Sequence, residues 1–191
     1  MKNTNRAMVP RSFTTLKNFW GCLLFGAAYI LCNATQEASA EVLSSREYEI
    51  KAAYLYNFIK YVDWPSYGDT ITIGVLGGNP FGTALAPLDG KIVKGRRLLI
   101  KEVDSLRDAQ KCQIIFVSSS EKSRLQEIFE NLKSARVLTV GETQGFASSG
   151  GIINFVEENN KVRFEINTDA AHRTGLNISS ELLKLAKLVK S

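Results

Sequence analysis

The 191-residue chain has one histidine, His172, and three cysteines, Cys22, Cys32 and Cys112. A single imidazole excludes a zinc site built on several His and Cys ligands, and makes any serine triad depend on His172 alone. That residue lies in Ala170-Ala171-His172-Arg173-Thr174, which reads as a helix end. No Gly-x-Ser-x-Gly elbow follows a strand, and the glycine cluster Gly77-Gly78-Asn79-Pro80-Phe81-Gly82 lacks both the dinucleotide fingerprint and the Lys-Ser/Thr pair of a P-loop. A tight strand-to-helix turn explains that cluster without a ligand, and a bare connection likewise explains Gly141 to Gly151. Glu157-Glu158 and Asp63 read as solvated or capping groups. These absences point away from an enzyme, and they leave no catalytic residue, cofactor site or metal site to name.

Long hydrophobic runs are also scarce. The apolar stretch from Phe19 to Leu31 falls short of the roughly 20 helical residues needed to cross about 30 Å of hydrocarbon. Lys2, Arg6, Arg11 and Lys17 precede or border it and Ala38-Ser39-Ala40 follows it. This is the layout of a cleavable secretory signal over residues 1–40, with cleavage expected before Glu41. A lipid-anchored reading would use Cys32, but Leu31 stands where a small residue is wanted. The formal charge of +5 owes much to this leader, since basic and acidic residues are almost balanced after it. Only Cys112 survives cleavage, so no internal disulfide is expected; it reads as a small buried hydrophobe at a strand start.

What is present after residue 40 alternates between two periods. From Glu47 to Val62 the stripe Ile50, Ala53, Tyr54, Phe58, Tyr61 and Val62 predicts an amphipathic helix, with Ser44 or Ser45 as N-cap and Trp64-Pro65 as stop. Residues 70–76 predict a strand, and Pro80 to Ala86 a short helix. Asp89-Gly90 turns the chain into strands around Lys91–Val93 and Arg97–Val103. Ile114–Val117 predicts a strand buried on both faces. Ser118 with Glu121 predicts a capping box, before a helix carrying Leu125, Ile128, Phe129 and Leu132. Val137–Val140 predicts another buried strand, and Ile152–Val156 with Val162–Asn167 a hairpin. Ser179-Ser180 then predicts a cap for a last helix with Leu182, Leu183, Leu185, Ala186 and Val189 on its apolar face. The fold class expected is α/β: a single domain over residues 41–191, with a mixed, largely parallel sheet, helices on both faces and a C-terminal β-hairpin plus helix.

Lys91, Lys94, Arg96, Arg97 and Lys101 form the one local basic run. No aromatic residues are interleaved with it, which argues against nucleic acid and for a solvated strand edge.

Several strings resemble the YfiR-like family of small periplasmic bacterial proteins. They are Tyr61-Val62-Asp63-Trp64-Pro65, Ile71–Leu76, the segment from Gly90-Lys91 to Ile100, and Cys112–Val117. They continue through Leu138-Thr139-Val140-Gly141, Gly150-Gly151-Ile152-Ile153-Asn154-Phe155 and Arg163-Phe164-Glu165-Ile166-Asn167. Gly175-Leu176-Asn177-Ile178-Ser179, followed by Leu182-Leu183 and Leu185-Ala186, completes the set. The resemblance implies a periplasmic regulator without a reaction of its own. It would bind the outer-facing domain of an inner-membrane diguanylate cyclase and inhibit it, lowering cyclic-di-GMP and opposing biofilm formation. Better-known relatives carry disulfides, whereas here Cys112 is retained and the opposite strand offers Ile71, Ile73 and Val75. Redox control through an internal disulfide is therefore not carried over. A partner surface combines apolar groups with oriented charges, and Glu165, Asn167, His172, Arg173, Leu176, Asn177 and Ile178 are the expected partner-binding residues. A second copy of the chain is another candidate partner; nucleic acid and membrane insertion after cleavage are not expected. The alternative reading is a periplasmic small-molecule-binding sensor or adaptor for another envelope receptor, with its ligand at the glycine turns.

Overall fold

In the computed structural model, which describes residues 43–64 and 68–190, strand β5 (Ile114–Val117) lies near the middle of an eight-stranded sheet. All four of its residues are buried. Ile114 and Phe116 enter the core on one face of the sheet, and Ile115 and Val117 the core on the other. An unbroken apolar run is what a strand covered on both sides requires. The signal segment 1–40, its boundary at Glu41, Cys22, Cys32 and Pro65 lie outside the described residues.

Helix α1 spans residues 43–61 and covers the first face. Its buried positions are Lys51, Ala52, Leu55, Phe58 and Ile59, with Val62 following. This stripe is rotated from the expected one. Phe58 and Val62 are shared, and Tyr54 and Tyr61 pack half-buried at its border, but Ile50 and Ala53 are exposed. Two stripes of similar apolarity overlap in this sequence, and the one the fold uses runs through a lysine. The helix is already under way at residue 43, so Ser44 and Ser45 lie inside it rather than capping it. It ends at Tyr61, and β1 (Val62–Asp63) is extended before Trp64.

The next strands are β2 (Thr70–Leu76), β3 (Ile92–Val93) and β4 (Arg96–Val103). The expected Pro80–Ala86 helix is instead a run of turns ending in a 3-10 helix at Ala86–Leu88. Asn79 Oδ1 accepts the Phe81 amide at 2.9 Å and Gly82 has φ 53°. Both choices compete with an α-helical turn. Helix α2 (Leu106–Ala109) leads to β5; a 3-10 segment, Ser119–Arg124, then runs into α3 (Leu125–Leu132). The anticipated capping box is absent: Ser118 Oγ accepts the Ser120 amide, while Glu121 pairs with Arg124 at 3.1 Å. On α3, Ile128, Phe129 and Leu132 are buried against the second face.

After β6 (Leu138–Gly141), strands β7 (Ile153–Glu158) and β8 (Lys161–Asn167) form the expected hairpin. Its turn is only Asn159-Asn160, both at positive φ (53° and 57°), as a type I′ turn requires. Helix α4 (Thr168–Arg173) and β9 (Asn177–Ile178) follow. The long terminal helix is not formed. Helix α5 (Ser180–Leu183) is one turn, and β10 (Lys187–Val189) then pairs with β8 in parallel. Backbone groups along the otherwise open edge of β8 outcompete continuation of the helix, leaving Leu185 and Leu188 exposed. The strand order is β10-β8-β7-β6-β5-β2-β4-β3, antiparallel only at β7–β8 and β3–β4. The mixed, largely parallel α/β architecture is thus as expected, and residues 44–191 group as one compact unit.

Cys112 is buried just ahead of β5, and burial pushes its thiol up to about 11. Ile71, Ile73 and Val75 do not face it, because they point into the core under α1. The β2 residue against Cys112 is Gly74, where an added Cβ would sit 3.0 Å from the sulfur. The second face is completed by Phe146, whose ring lies against Gly141 and Gly151. A Cβ on Gly151 would come within 2.1 Å of that ring. Gly151→Ala is expected to lower the unfolding free energy by about 2 kcal/mol, measured by urea denaturation; an unchanged midpoint would show that Phe146 can move aside.

Candidate functional site

Two distant stretches meet beside the main sheet. β1 pairs antiparallel with β9, Val62 opposite Ile178 and Asp63 opposite Asn177. The Ser179 amide donates to the Tyr61 carbonyl at 2.8 Å, extending this ladder to the end of α1. Lys94, at φ 50° in the tight turn between β3 and β4, reaches across to the same place. Its Nζ lies 3.6 Å from Asp63 Oδ1 and donates to the Val62 carbonyl at 3.3 Å. Trp64 packs half-buried against the core next to this ladder, and its Nε1 is buried without a hydrogen-bond partner among the described residues.

Of the residues singled out from the sequence, Asn177 and Ile178 lie on this small sheet, and the rest are spread between the interior and other parts of the surface. Asn167 is fully buried and structural: its Nδ2 donates to the Ala147 carbonyl at 2.7 Å, and its Oδ1 accepts the Ala170 amide at 2.9 Å, capping α4. Leu176 is in the core. Glu165 is largely covered and accepts a bond from Lys187 Nζ at 3.1 Å, tying β8 to β10. Ile178 is half-buried, its side chain packed against the core. His172, Arg173 and Asn177 are exposed. The exposed carboxylate of Asp63 and the ammonium of Lys94 join Asn177 at the small sheet. Sequence reading missed these two as neighbours of the C-terminal tract, because nothing local announces a pairing between β1 and β9. Both Asp63 and Asn177 nonetheless lie inside strings that carried the family resemblance.

A second polar centre lies at the N-terminal half of α1. Lys51 Nζ sits 2.5 Å from Glu47 Oε1 and 2.6 Å from Glu142 Oε2, with its side chain only 6% exposed. It also lies 4.5 Å from the centre of the Tyr48 ring. The Tyr48 hydroxyl donates to Glu142 at 3.2 Å. Burial, and then the nearby Glu142 carboxylate, raise the Tyr48 ionisation well above its ordinary value. Phe155, Val156, Glu157 and Val162 complete a cleft of about 280 Å³ around these groups. A lysine within an otherwise apolar helical stripe was the available signal for this centre.

The glycine turns are occupied by the chain itself. The Gly78 amide donates to Ser120 Oγ at 3.0 Å, where the loops after β2 and β5 meet. The Gly141–Gly151 loop encloses Phe146. No cluster of His, Cys, Asp and Glu suited to a metal occurs among the described residues, and none of their helices is long and apolar enough to cross a membrane.

Comparison with known proteins gives a family match, and solved structures that resemble the chain only distantly. The model of a family described as YfiR/HmsC-like matches residues 48–187. A solved structure of the ABC domain in complex with L-Trp from Streptococcus pneumoniae is 14% identical, with 62% of this chain and 55% of that one covered and a TM-score of 0.45. A conserved domain protein from Vibrio cholerae O1 biovar El Tor is 14% identical, with 75% and 60% covered and a TM-score of 0.48. This chain thus spans only 55% and 60% of the length of those two structures.

Removing the Lys51 ammonium leaves Glu142 half-enclosed with only Tyr48 to serve it. Lys51→Met is therefore expected to cost about 2 kcal/mol of stability, and adding Glu142→Gln should recover part of it. Equal losses in the single and double variants, measured by urea denaturation, would contradict this coupling. The unfolded chain ionises the Tyr48 phenol near pH 10.0 and the folded chain does so only at higher pH. Tyr48 thus favours the folded state fully below that value and loses its contribution as pH rises beyond it. Stability should fall less steeply above pH 10 in Tyr48→Phe than in the parent chain.

Proposed function

We propose, since the chain belongs to the YfiR/HmsC-like family, that it is a periplasmic regulator that binds the periplasmic domain of an inner-membrane diguanylate cyclase and holds the cyclase inactive. Membership supports a periplasmic regulatory role in general; the cyclase as target and inhibition as outcome are the proposal. The observation that carries it is the meeting of β1 and β9, which sets two of the family strings side by side at the surface. His172 and Arg173 at the end of α4, with Asn177 and Asp63 on the small sheet, supply the oriented polar groups. Ile178 and Trp64 supply apolar surface at their border. Asn167, which caps α4, and Leu176, in the core, hold the tract that carries this surface from within, while Glu165 ties β8 to β10. Such a mixture suits a protein partner, where a few central residues carry most of the affinity.

The alternative, a small-molecule sensor or adaptor, loses its original seat, because the glycine turns are filled by Ser120 and Phe146. One observation still favours it: the cleft of about 280 Å³ between α1 and the β7–β8 hairpin, lined by Lys51, Glu142 and Tyr48.

The test is capture of membrane proteins by the purified chain from solubilised inner membranes, with identification by mass spectrometry and measurement of cyclic-di-GMP in a deletion strain. Recovery of a diguanylate cyclase and a rise of cyclic-di-GMP on deletion are expected. Arg173→Glu should reduce recovery by roughly tenfold, as loss of a central charged contact does. Being at the surface, it should move the thermal midpoint by no more than about 2 °C. A large loss of stability with no separable binding defect would remove Arg173 from the interface. Unchanged cyclic-di-GMP and no membrane partner would overturn the proposal.

A further inference from the structure

The basic run read from the sequence becomes one end of the molecule in the fold. β3 is the outermost strand of the sheet, next to β4. Lys91, Lys94, Arg96, Arg97 and Lys101 therefore lie on or beside a sheet edge. The fold adds Lys60 from the end of α1. The ammonium groups of Lys60 and Lys91 lie 4.6 Å and 5.7 Å from the centre of the Tyr56 ring, one shared by residues far apart in sequence. Lys94 is paired with Asp63. Lys60, Lys91, Arg96, Arg97 and Lys101 make no ion pair among the described residues. Four further carboxylates lie on or next to these strands. Asp89 accepts the Ile100 amide and Glu102 accepts the Asn79 side chain, so both are partly engaged, while Asp69 and Asp104 are exposed. Cations remain in excess.

The register shows what this edge presents. Ile92 lies opposite Arg97, and Val93 opposite Arg96. The flanking bonds, Gly90 amide to Leu98 carbonyl and Leu98 amide to Lys91 carbonyl, are 2.8 and 2.7 Å. Alternation along an antiparallel pair then turns the backbone groups of Ile92 outward, and its side chain is 62% exposed. A two-residue strand flanked by lysines and arginines is a poor template for strand addition. Charge on both faces of the edge, an apolar side chain at its tip and a tyrosine beside two ammonium groups make a different pattern. It suits a fluid array of anionic headgroups, into which a single apolar residue can dip while long basic side chains reach the phosphates. A folded acidic protein would need carboxylates at fixed positions to match charges spread over both faces of the edge.

We propose that the β3–β4 edge, with Lys60 and Tyr56 of α1, is a peripheral docking surface for anionic phospholipid. It does not depend on the regulatory reading, because its readout is binding to protein-free vesicles.

The experiment is co-sedimentation of the chain, purified from the bacterial envelope in the form the cell produces and with its N-terminus established by mass spectrometry. The vesicles are phosphatidylcholine alone or phosphatidylcholine with a one-third share of phosphatidylglycerol. The double variant Lys91→Glu/Arg97→Glu is compared with Lys161→Glu/Arg163→Glu, which changes net charge equally but lies on β8, toward the other end of the sheet. Expected are binding to the anionic vesicles only, loss of that binding at high salt, and a weakening of at least roughly tenfold in the first variant but not the second. Circular dichroism checks folding, and the milder Lys60→Gln/Lys91→Gln pair replaces the reversal if it fails to fold. Equal binding to neutral vesicles, no binding to anionic ones, or equal weakening by both reversals would overturn the proposal. Selective capture of an acidic polypeptide without vesicle binding would overturn it too, and would assign the edge to a protein partner.

Discussion

Burial of the central strands on both faces is the constraint from which the remaining architecture follows. β5 and the greater part of β2 are buried, so each face of the sheet must be roofed. Helix α1 closes one face with Leu55, Phe58 and Ile59; α2, α3 and Phe146 close the other. At roughly 2 kcal/mol or more for each large side chain taken out of water, these two layers dominate the stability. They also dictate the small details. Gly74 lacks a side chain because Ile115, Val103 and Cys112 occupy the space a Cβ would need, and Gly141 and Gly151 because Phe146 does.

The polar centres depend on the same layers. Lys51 enters the buried stripe of α1 because the helix turns that side toward the sheet, and Glu142, just beyond β6, is placed by strand length to meet it. The small β1–β9 sheet exists because α1 ends at Tyr61 where α4 delivers Asn177 and Ile178. The candidate partner surface is thus a by-product of where two elements stop. The basic edge has a related origin: β3 is the last strand, and nothing beyond it needs an apolar residue.

How much could be read beforehand varied with how local the cause was. Ile114–Val117, the β7–β8 hairpin and the α3 face were recognisable because period, composition and turn residues agree over a few positions. The choice between two overlapping stripes on α1 was not, since Ile50 and Lys51 are distinguished only by what Glu142 offers across the sheet. The extent of the last helix was hidden for a similar reason. Leu185, Leu188 and Val189 satisfy a helical period, but the open edge of β8 offers hydrogen bonds to an extended chain. Among the residues expected at the partner surface, His172, Arg173 and Asn177 are exposed, while Asn167 and Leu176 are interior. Alternation along one strand says which residues oppose each other, not which side becomes the core.

By itself, the sequence determined the α/β class, the order of most elements, the doubly buried strand and the family, because each rests on short-range pattern or on recognisable strings. Only the tertiary structure decided the rotation of α1, the conversion of the C-terminal tail into β10, the partner of Cys112 and the meeting of Asp63 with Asn177. Those outcomes turn on contacts between residues distant in the chain, where burial and backbone hydrogen bonding outweigh local preference.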